Sequence, residues 1–494
     1  MKILFVYPQY PDTFWSFKHA LKFVSKKAAF PPLGLLTVAA MLPQEWEKKL
    51  VDLNIDPLTD KDLHWADYVF ISAMVVQKAS VEEVVARCKK LGVKTVAGGP
   101  LFTARPDDFT DIDHLVLDEA EITLAPFLAD LEKGCARHRY NTNERPDISV
   151  TPVPMWSLIK MKQYGSMSLQ YSRGCPFDCE FCDIVALNGR NPRTKNKEQF
   201  IAELESLYKS GWLGSVFIVD DNFIGNKKKL KSEILPAIID WKNRKKYPFA
   251  FATEASINLA DDEELTKLMV SAGFDVVFVG IETPNAESLV ECTKGQNQNR
   301  DLVASVKKLQ QAGLEVQGGF IVGFDSDPES IFQAQIDFIQ KSGIVTAMVG
   351  LLTAPTGTRL YKRLREEGRL LTSSSGNNTD STLNFIPKMD PQRLVAGYKQ
   401  ILDTIYSPKA YYQRLKTFLQ EYKPMRTNPG KIHSHQVKAF FRSIWFLGIL
   451  GAGREHYWKL FVSYLTTSPP KFARFILLSV YGYHFRKVAG AQTW

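Results

Sequence analysis

Cysteine is scarce in this chain. There are six in 494 residues, far below the density of a disulfide-stapled secreted fold, and the three that cluster, Cys175, Cys179 and Cys182, are spaced too closely to bridge one another well. Histidine is missing from the whole stretch between His138 and His433. A structural zinc site wants four ligands, and with the other cysteines at Cys88, Cys135 and Cys292 no fourth lies nearby, which argues against zinc. No apolar run reaches the roughly 18 to 20 residues that span a bilayer. The opening MKILFVYPQYP has no apolar segment of signal-peptide length before its prolines, so a cytoplasmic location is expected. No repeat of solenoid period is present. Acidic residues thin out at one end: residues 401–494 carry fourteen Lys/Arg against three Asp/Glu, a net +11 in a chain whose total is +9.

What is present is a double series of short apolar runs separated by helical patterns. In the first series ILFVY (3–7), LVDLN (50–54), YVFISA (68–73), TVAGG (95–99) and HLVLDE (114–119) read as five parallel strands, with SVEEVVARCKKLG an amphipathic helix between two of them. This predicts a doubly wound, Rossmann-like α/β domain over 1–142. Its ligand is expected at the C-terminal strand ends, in the loops after Tyr7, Ser72, Ala97 and Leu117. Gly98 and Gly99 would let the backbone approach a bulky ligand, or else form a plain turn. The Pro-rich stretch over 143–165 reads as a linker.

The second series has strands near 167–172, 215–219, 249–255, 275–281, 315–322 and 345–351, a partial (β/α)6 TIM barrel over 166–360. One of its helices, DDEELTKLMVSAG, is expected to be capped by Asp261 and stopped by Gly273. Chemistry belongs at the C-terminal strand ends. Beyond it, 361–494 reads as an α-helical domain, preceded by a polar loop LTSSSGNNTDS (371–381) expected to be mobile.

RGCPFDCEFCDI (173–184) follows the first barrel strand, in a loop opened by Gly174 and Pro176 where three thiolates can converge. Three soft ligands suit a [4Fe-4S] cluster with one iron left open for a substrate or cofactor. The C-x3-C-x-F-C pattern resembles the radical S-adenosylmethionine (SAM) enzymes, whose open iron chelates the amino and carboxylate groups of SAM. That resemblance makes Cys175, Cys179 and Cys182 the cluster ligands and Phe181 the aromatic before the third. It places Glu282 of VFVGIET at the strand end contacting ribose and methionine, and Gly323 of GGFIVGF in the motif packing on adenine. Asp220 and Asp221 of FIVDDNF and Glu254 of FATEAS end strands on the same face.

The domain in front resembles the cobalamin-binding domain of the cobalamin-dependent radical enzymes. Ser72, Gly98, Gly99, Pro100, Glu119 and Glu121 fall where that family has its corrin-contacting loops, although Asp118 and Ala120 replace the two glycines of its usual Gly-Glu-Gly-Glu. DLHWAD (62–67) imitates a cobalt-ligating histidine signature but lacks its glycine and precedes the third strand, so His64 reads as a partly exposed loop residue.

The resemblance implies a cobalamin-dependent radical SAM methyltransferase, one SAM giving a 5'-deoxyadenosyl radical and a second remethylating cobalt. An enzyme of the same build that forms or rearranges carbon-carbon bonds without methyl transfer is the alternative. A regulatory cobalamin protein with a vestigial barrel is disfavoured by the intact cysteine triad. Second-cluster enzymes are disfavoured because Cys88 and Cys135 are too few and no cysteine follows Cys292. A small-molecule or lipid substrate and a reductant such as flavodoxin or ferredoxin are expected; the layout resembles a bacterial group some of whose relatives modify hopanoids. No residue singles out a catalytic role beyond cofactor binding. In the tail, 436–453 and 471–485 are apolar, basic and rich in Trp and Tyr. They read either as helices packed over the barrel or as part of a peripheral contact through 436–485 with the inner membrane face. Nucleic acid is not expected, because the aromatics sit in aliphatic runs.

Overall fold

In the first strand, β1 (Lys2–Tyr7), successive buried side chains alternate between two hydrophobic cores: Ile3 and Phe5 face one layer of helices, Leu4 and Val6 the other. That double burial is what a parallel sheet covered on both sides requires. The computed structural model describes residues 1–424 and 434–491. In it, β1 is flanked by β2 (Glu47–Asp52) and β3 (Tyr68–Ser72), followed by β4 (Lys94–Gly98), β5 (His114–Val116) and β6 (Arg139–Tyr140). The order is β2-β1-β3-β4-β5-β6, all parallel. Five strands are expected from the sequence; the sixth is a two-residue edge too short to show any periodicity. Helices Leu33–Met41 and Ala120–Glu132 cover one face and Lys78–Lys90 the other. The winding reverses between β1 and β3, so the loops after these strands diverge and open a crevice.

The second sheet runs β14-β13-β12-β11-β10-β7, again all parallel: β7 (Met167–Leu169), β10 (Ser215–Ile218), β11 (Ala250–Glu254), β12 (Phe274–Glu282), β13 (Glu315–Val322) and β14 (Ala347–Leu351). A small antiparallel pair, β8 (Ser172–Arg173) and β9 (Arg193–Thr194), closes the base of the cysteine loop. Gly273 does stop the helix Glu263–Ala272, with φ +105°. Its N-cap is Asp262, whose carboxylate accepts from Leu265 N at 3.0 Å; Asp261 instead pairs with Arg300 at 2.8 Å.

The Pro-rich connection is packed rather than loose. Ile148 and Trp156 are buried, Met155 N donates to Leu36 O, and Gln199 Nε2 donates to the carbonyls of Ile148 and Thr151. The polar 371–381 loop is likewise anchored: Arg105 donates to Ser374 O, and Tyr398 OH to Thr379 O at 3.1 Å. Gly376 lies so close to Val75 that a Cβ there would meet its Cβ at 2.7 Å.

The C-terminal region is helical. Helices Pro391–Ile405 and Pro408–Glu421 pack on the barrel helix Ile331–Ser342. The last helix, Pro469–Ala491, returns to the start of the chain. There Phe485 stacks on Phe14 at 4.2 Å, and buried His484 donates from Nε2 to the Phe14 carbonyl at 2.9 Å. Among the described residues no helix is long and apolar enough to cross a membrane.

Candidate active site between the two sheets

The C-terminal strand ends of the two sheets face each other across a cavity of about 740 Å³. One wall is built from the loops after β1 (Tyr10, Phe14, Trp15) and β3 (Met74, Val75, Val76) together with Pro100. The opposite wall is Phe278, Phe320 and Leu351 at the barrel mouth, and Ser374–Thr379 close the side. Trp15 bridges the walls, its ring edge-on to Phe278 at 5.3 Å and its indole N–H 3.0 Å from Met348 Sδ.

Phe181 and Cys182 reach into this space from the cysteine loop. The loop's shape follows from two carboxylates, one buried and one half-buried. Asp220 accepts from Tyr171 N and Ser172 N, both at 2.7 Å, and from the Ser172 hydroxyl at 2.6 Å. Asp221 accepts from Gly174 N and Asn188 Nδ2, both at 3.0 Å. Burial lifts the Asp220 carboxyl to about 7, against the pull of those hydrogen bonds. Gly174, at φ +96°, is needed because a Cβ would meet Gly189 O at 2.9 Å. The two aspartates, expected on the cofactor, are thus spent on holding the loop, and neither lines the cavity.

Around the thiols lie donors and a cation: Asn222 Nδ2 is 3.9 Å from Cys175 Sγ, and Gln296 Nε2 is 3.8 Å from Cys179 Sγ. Lys294 is half-buried, paired with Glu282 at 2.6 Å, and its charge is felt at Cys179 and Cys182. Burial pushes the Cys175 and Cys182 thiols up. Glu282 sits at φ +64°, a left-handed backbone rare outside glycine, where β12 slips register against β13. Glu254 faces the cavity, and burial, then Asp221 and Asp220, raise it to about 8.

Family models match three segments: a B12 binding domain over 24–128, the radical SAM superfamily over 169–339, and a domain of unknown function, DUF4070, over 358–493. An uncharacterized methyltransferase of Synechocystis is 42% identical over 98% of this chain and 91% of its own length. The hopanoid C-2 methylase of Rhodopseudomonas palustris is 35% identical over 93% and 88%. The chain belongs to the cobalamin-dependent radical SAM methyltransferases. Among solved structures, the radical enzyme OxsB with aqua-cobalamin and SAM bound shares the fold at TM-score 0.65 and 15% identity, covering all of this chain and 84% of OxsB. The methyltransferase TsrM of Kitasatospora setae, with cobalamin and a [4Fe-4S] cluster bound, does so at 0.60 and 14%, covering 99% of each chain.

The cofactors of this methyltransferase are a [4Fe-4S] cluster, SAM and cobalamin. The donor set fits the cluster: all three sulfurs are free of disulfides, with amide donors and a half-buried ammonium to offset thiolate charge. Among the described residues no three His, Cys, Asp or Glu donors converge as the shell of one ion would, whereas the thiolates of such a cluster each bind a different iron.

In the B12 binding domain, Gly98 and Gly99 serve the chain itself. A Cβ at Gly98 would meet Val116 O at 2.4 Å, and one at Gly99, at φ +95°, would meet Ser72 Oγ at 2.5 Å. Ser72 therefore packs under the turn, and only Pro100 of this group reaches the cavity. Gly323, at φ +107°, is held through its N–H by Asp327 and also stays off the lining. Asp118 occupies the left-handed region, φ +60°, where the family's glycine would sit without strain. Thr103 Oγ1 accepts from its N–H, and its carboxylate accepts from Thr142 N, both at 2.9 Å.

Glu119 and Glu121 do not face the cavity. Glu119 pairs with Arg173 at 2.6 Å and Arg193 at 2.7 Å, and Glu121 with Arg173 at 2.8 Å, clamping the B12 binding domain to the strand pair beneath the cysteine loop. No local pattern announces this clamp, since its partners lie more than fifty positions apart. Lys294 and Gln296 were equally hidden: their motif, TKGQN, reads as an ordinary turn. His64 lies on the short helix Asp60–Trp65, exposed, its Nδ1 donating to Asp60 O at 2.7 Å and away from the cavity.

Proposed function

We propose that this enzyme transfers a methyl group to an unactivated carbon of a hydrophobic substrate held in the 740 Å³ cavity. The observation that carries the reading is the cavity's composition. Phe14, Trp15, Phe278, Phe320 and Leu351 give the cavity an apolar stretch between its two walls; Glu254 and Glu282 line the cluster end, and Asp12, Lys18, Lys27 and Arg105 border it elsewhere. When bound, the cofactors supply a 5'-deoxyadenosyl radical and a methyl group. The chain's own residues do the rest. The cysteine loop would hold one cofactor beside Phe181, the loops after β1 and β3 would offer a site for the other, and the aromatic walls would keep water from the space between them. Glu254 and Glu282 are placed to meet the polar groups of SAM. That the acceptor is a lipid is supported by the hopanoid methylase relatives and by the apolar lining. A flavodoxin or ferredoxin would supply the electron.

The test is anaerobic turnover of the reconstituted enzyme with SAM labelled in its methyl group and total bacterial lipid. Deoxyadenosine and S-adenosylhomocysteine should appear in equal amounts, with label in the organic phase. Deoxyadenosine without S-adenosylhomocysteine would reverse the reading in favour of a bond-forming or rearranging enzyme that transfers no methyl group.

A further inference from the structure

Eighteen large hydrophobic side chains are exposed among the described residues, and ten of them fall between Val437 and Leu477. They are not scattered there. Val437, Phe441, Trp445 and Ile449 recur every four residues along the continuous helix formed by Ser434–Ser443 and Ile444–Ile449, with Phe441 64% and Trp445 54% exposed. Trp458, Val462 and Leu465 make a second stripe on the helix Arg454–Thr467. The Trp458 indole donates to Gly448 O at 2.8 Å, and a Cβ on Gly448 would meet its ring at 3.1 Å, so the stripes adjoin.

These helices already have a core face. Phe440, Leu447, Tyr457 and Phe461 turn inward and pack with Phe472 and Phe475 of the last helix. The exposed stripes are therefore a second apolar face, which the described residues leave uncovered. A helix apolar on two faces needs a second apolar medium.

We infer that this two-helix face docks on an anionic lipid bilayer, lying in the headgroup boundary without crossing it. Charge selects the occupant. From Val437 to Ala491 the sequence holds eight Lys/Arg and one acid, Glu455, with Lys438, Arg454 and Lys459 exposed beside the stripes. A second copy of the chain would set this cationic surface against itself, whereas an anionic surface complements it. Trp445 and Trp458 are the amphipathic rings that the headgroup region favours. The residues concerned narrow the expectation from sequence. The stretch 471–485 is mostly core, with Phe475, Leu478 and Phe485 buried, while Arg454–Thr467, inside the 436–485 span expected at the membrane but between its two apolar stretches, supplies half the face. The face also connects with the cavity wall. Phe446 packs on Phe23, Arg442 donates to the carbonyls of Lys22 and Phe23, and the same N-terminal segment carries Phe14 and Trp15. The inference does not depend on what the cavity methylates.

The test is co-flotation of the full chain with vesicles of phosphatidylcholine alone and with phosphatidylglycerol added. The wild type should float with the anionic vesicles and dissociate as ionic strength rises. A Phe441→Ser/Trp445→Ser/Val462→Ser variant, altered only at exposed positions and checked for an unchanged melting temperature, should bind at least about tenfold more weakly. A Leu213→Ser control, exposed elsewhere, should bind like wild type. Equal flotation of the triple variant and wild type would overturn the inference. So would an apolar face that proves to be a self-interface: a wild-type dimer in sedimentation that the triple variant dissolves, with no vesicle binding by either. Deoxyadenosine formation, measured in parallel without lipid, should be the same for both proteins, which separates a failure here from a failure of the methyl-transfer reading.

Discussion

The cysteine loop and the 371–381 loop border the same cavity, yet they are held by different kinds of force. Under the cysteine loop lie the buried Asp220, the half-buried Asp221 and a clamp of two glutamates and two arginines, each directing a charge-assisted hydrogen bond at a fixed point. The 371–381 loop has a single such bond, from Arg105 to a backbone carbonyl, and is otherwise held by a neutral hydroxyl and by the absence of a side chain at Gly376. Charged, buried bonds are strong and directional, and breaking one leaves an uncompensated group. The cluster end of the cavity is therefore built to stay put. The side wall is built to fit closely at little cost in opening.

That contrast is sharpest for the ligands themselves. Cys175→Ala, Cys179→Ala and Cys182→Ala should each abolish deoxyadenosine formation and lower iron content in reconstituted protein, read by iron analysis and product chromatography; a triple variant that still cleaves SAM would remove the central assignment. One layer beneath, Asp220→Ala leaves two backbone N–H groups and a hydroxyl unpaired in a buried site. It should cost about 4 kcal/mol in denaturant unfolding and reduce iron retention. If stability falls while iron is retained, Asp220 supports the fold without shaping the loop.

On the opposite wall, His484 ties the last helix to Phe14. Burial lowers its pKa to about 4, while an unfolded histidine titrates near 6.5. A depressed base favours the fold above the unfolded value and withdraws that support as pH falls. The wild type should thus lose about 3 kcal/mol between roughly pH 6.5 and 4 that a His484→Phe variant does not, measured as the difference in their pH-stability slopes. The smallest effect belongs to Gly376→Ala. At φ +74° and against Val75, it should weaken cobalamin binding several-fold, on the order of 1 kcal/mol, with iron content unchanged. Loss of iron as well would mean the two loops are not independent.

The strands were legible because parallel sheets covered on both faces demand continuous apolar runs, and VFVGIE or GGFIV can be little else. The cysteine loop was legible because its chemistry fixes the spacing. What stayed hidden is whatever depends on partners distant in sequence. Asp220 and Asp221 end a strand in the position of ligand-binding carboxylates, and only the fold shows that Tyr171, Ser172 and Gly174 reach them first. Glu119 and Glu121 lie in a loop of cofactor-binding type but meet Arg173 and Arg193. Asp261 and Asp262 are indistinguishable as caps until Arg300 claims one of them. The second apolar face of the tail could not be separated from the core face at 454–467, because Trp458, Val462 and Leu465 alternate with Leu460 and Phe461, and only the fold shows which of them turn inward.

The bond from His484 to Phe14 joins positions 470 residues apart. During synthesis the first sheet can form as soon as its strands emerge, but the segment carrying Phe14 and Trp15 gains its covering only when the last helix has been made. One wall of the reaction chamber is therefore completed only after both sheets have been made. Cofactor loading then belongs after Pro469–Ala491 has been made, and a chain cut short within that helix would have both sheets built and the chamber still open on one side.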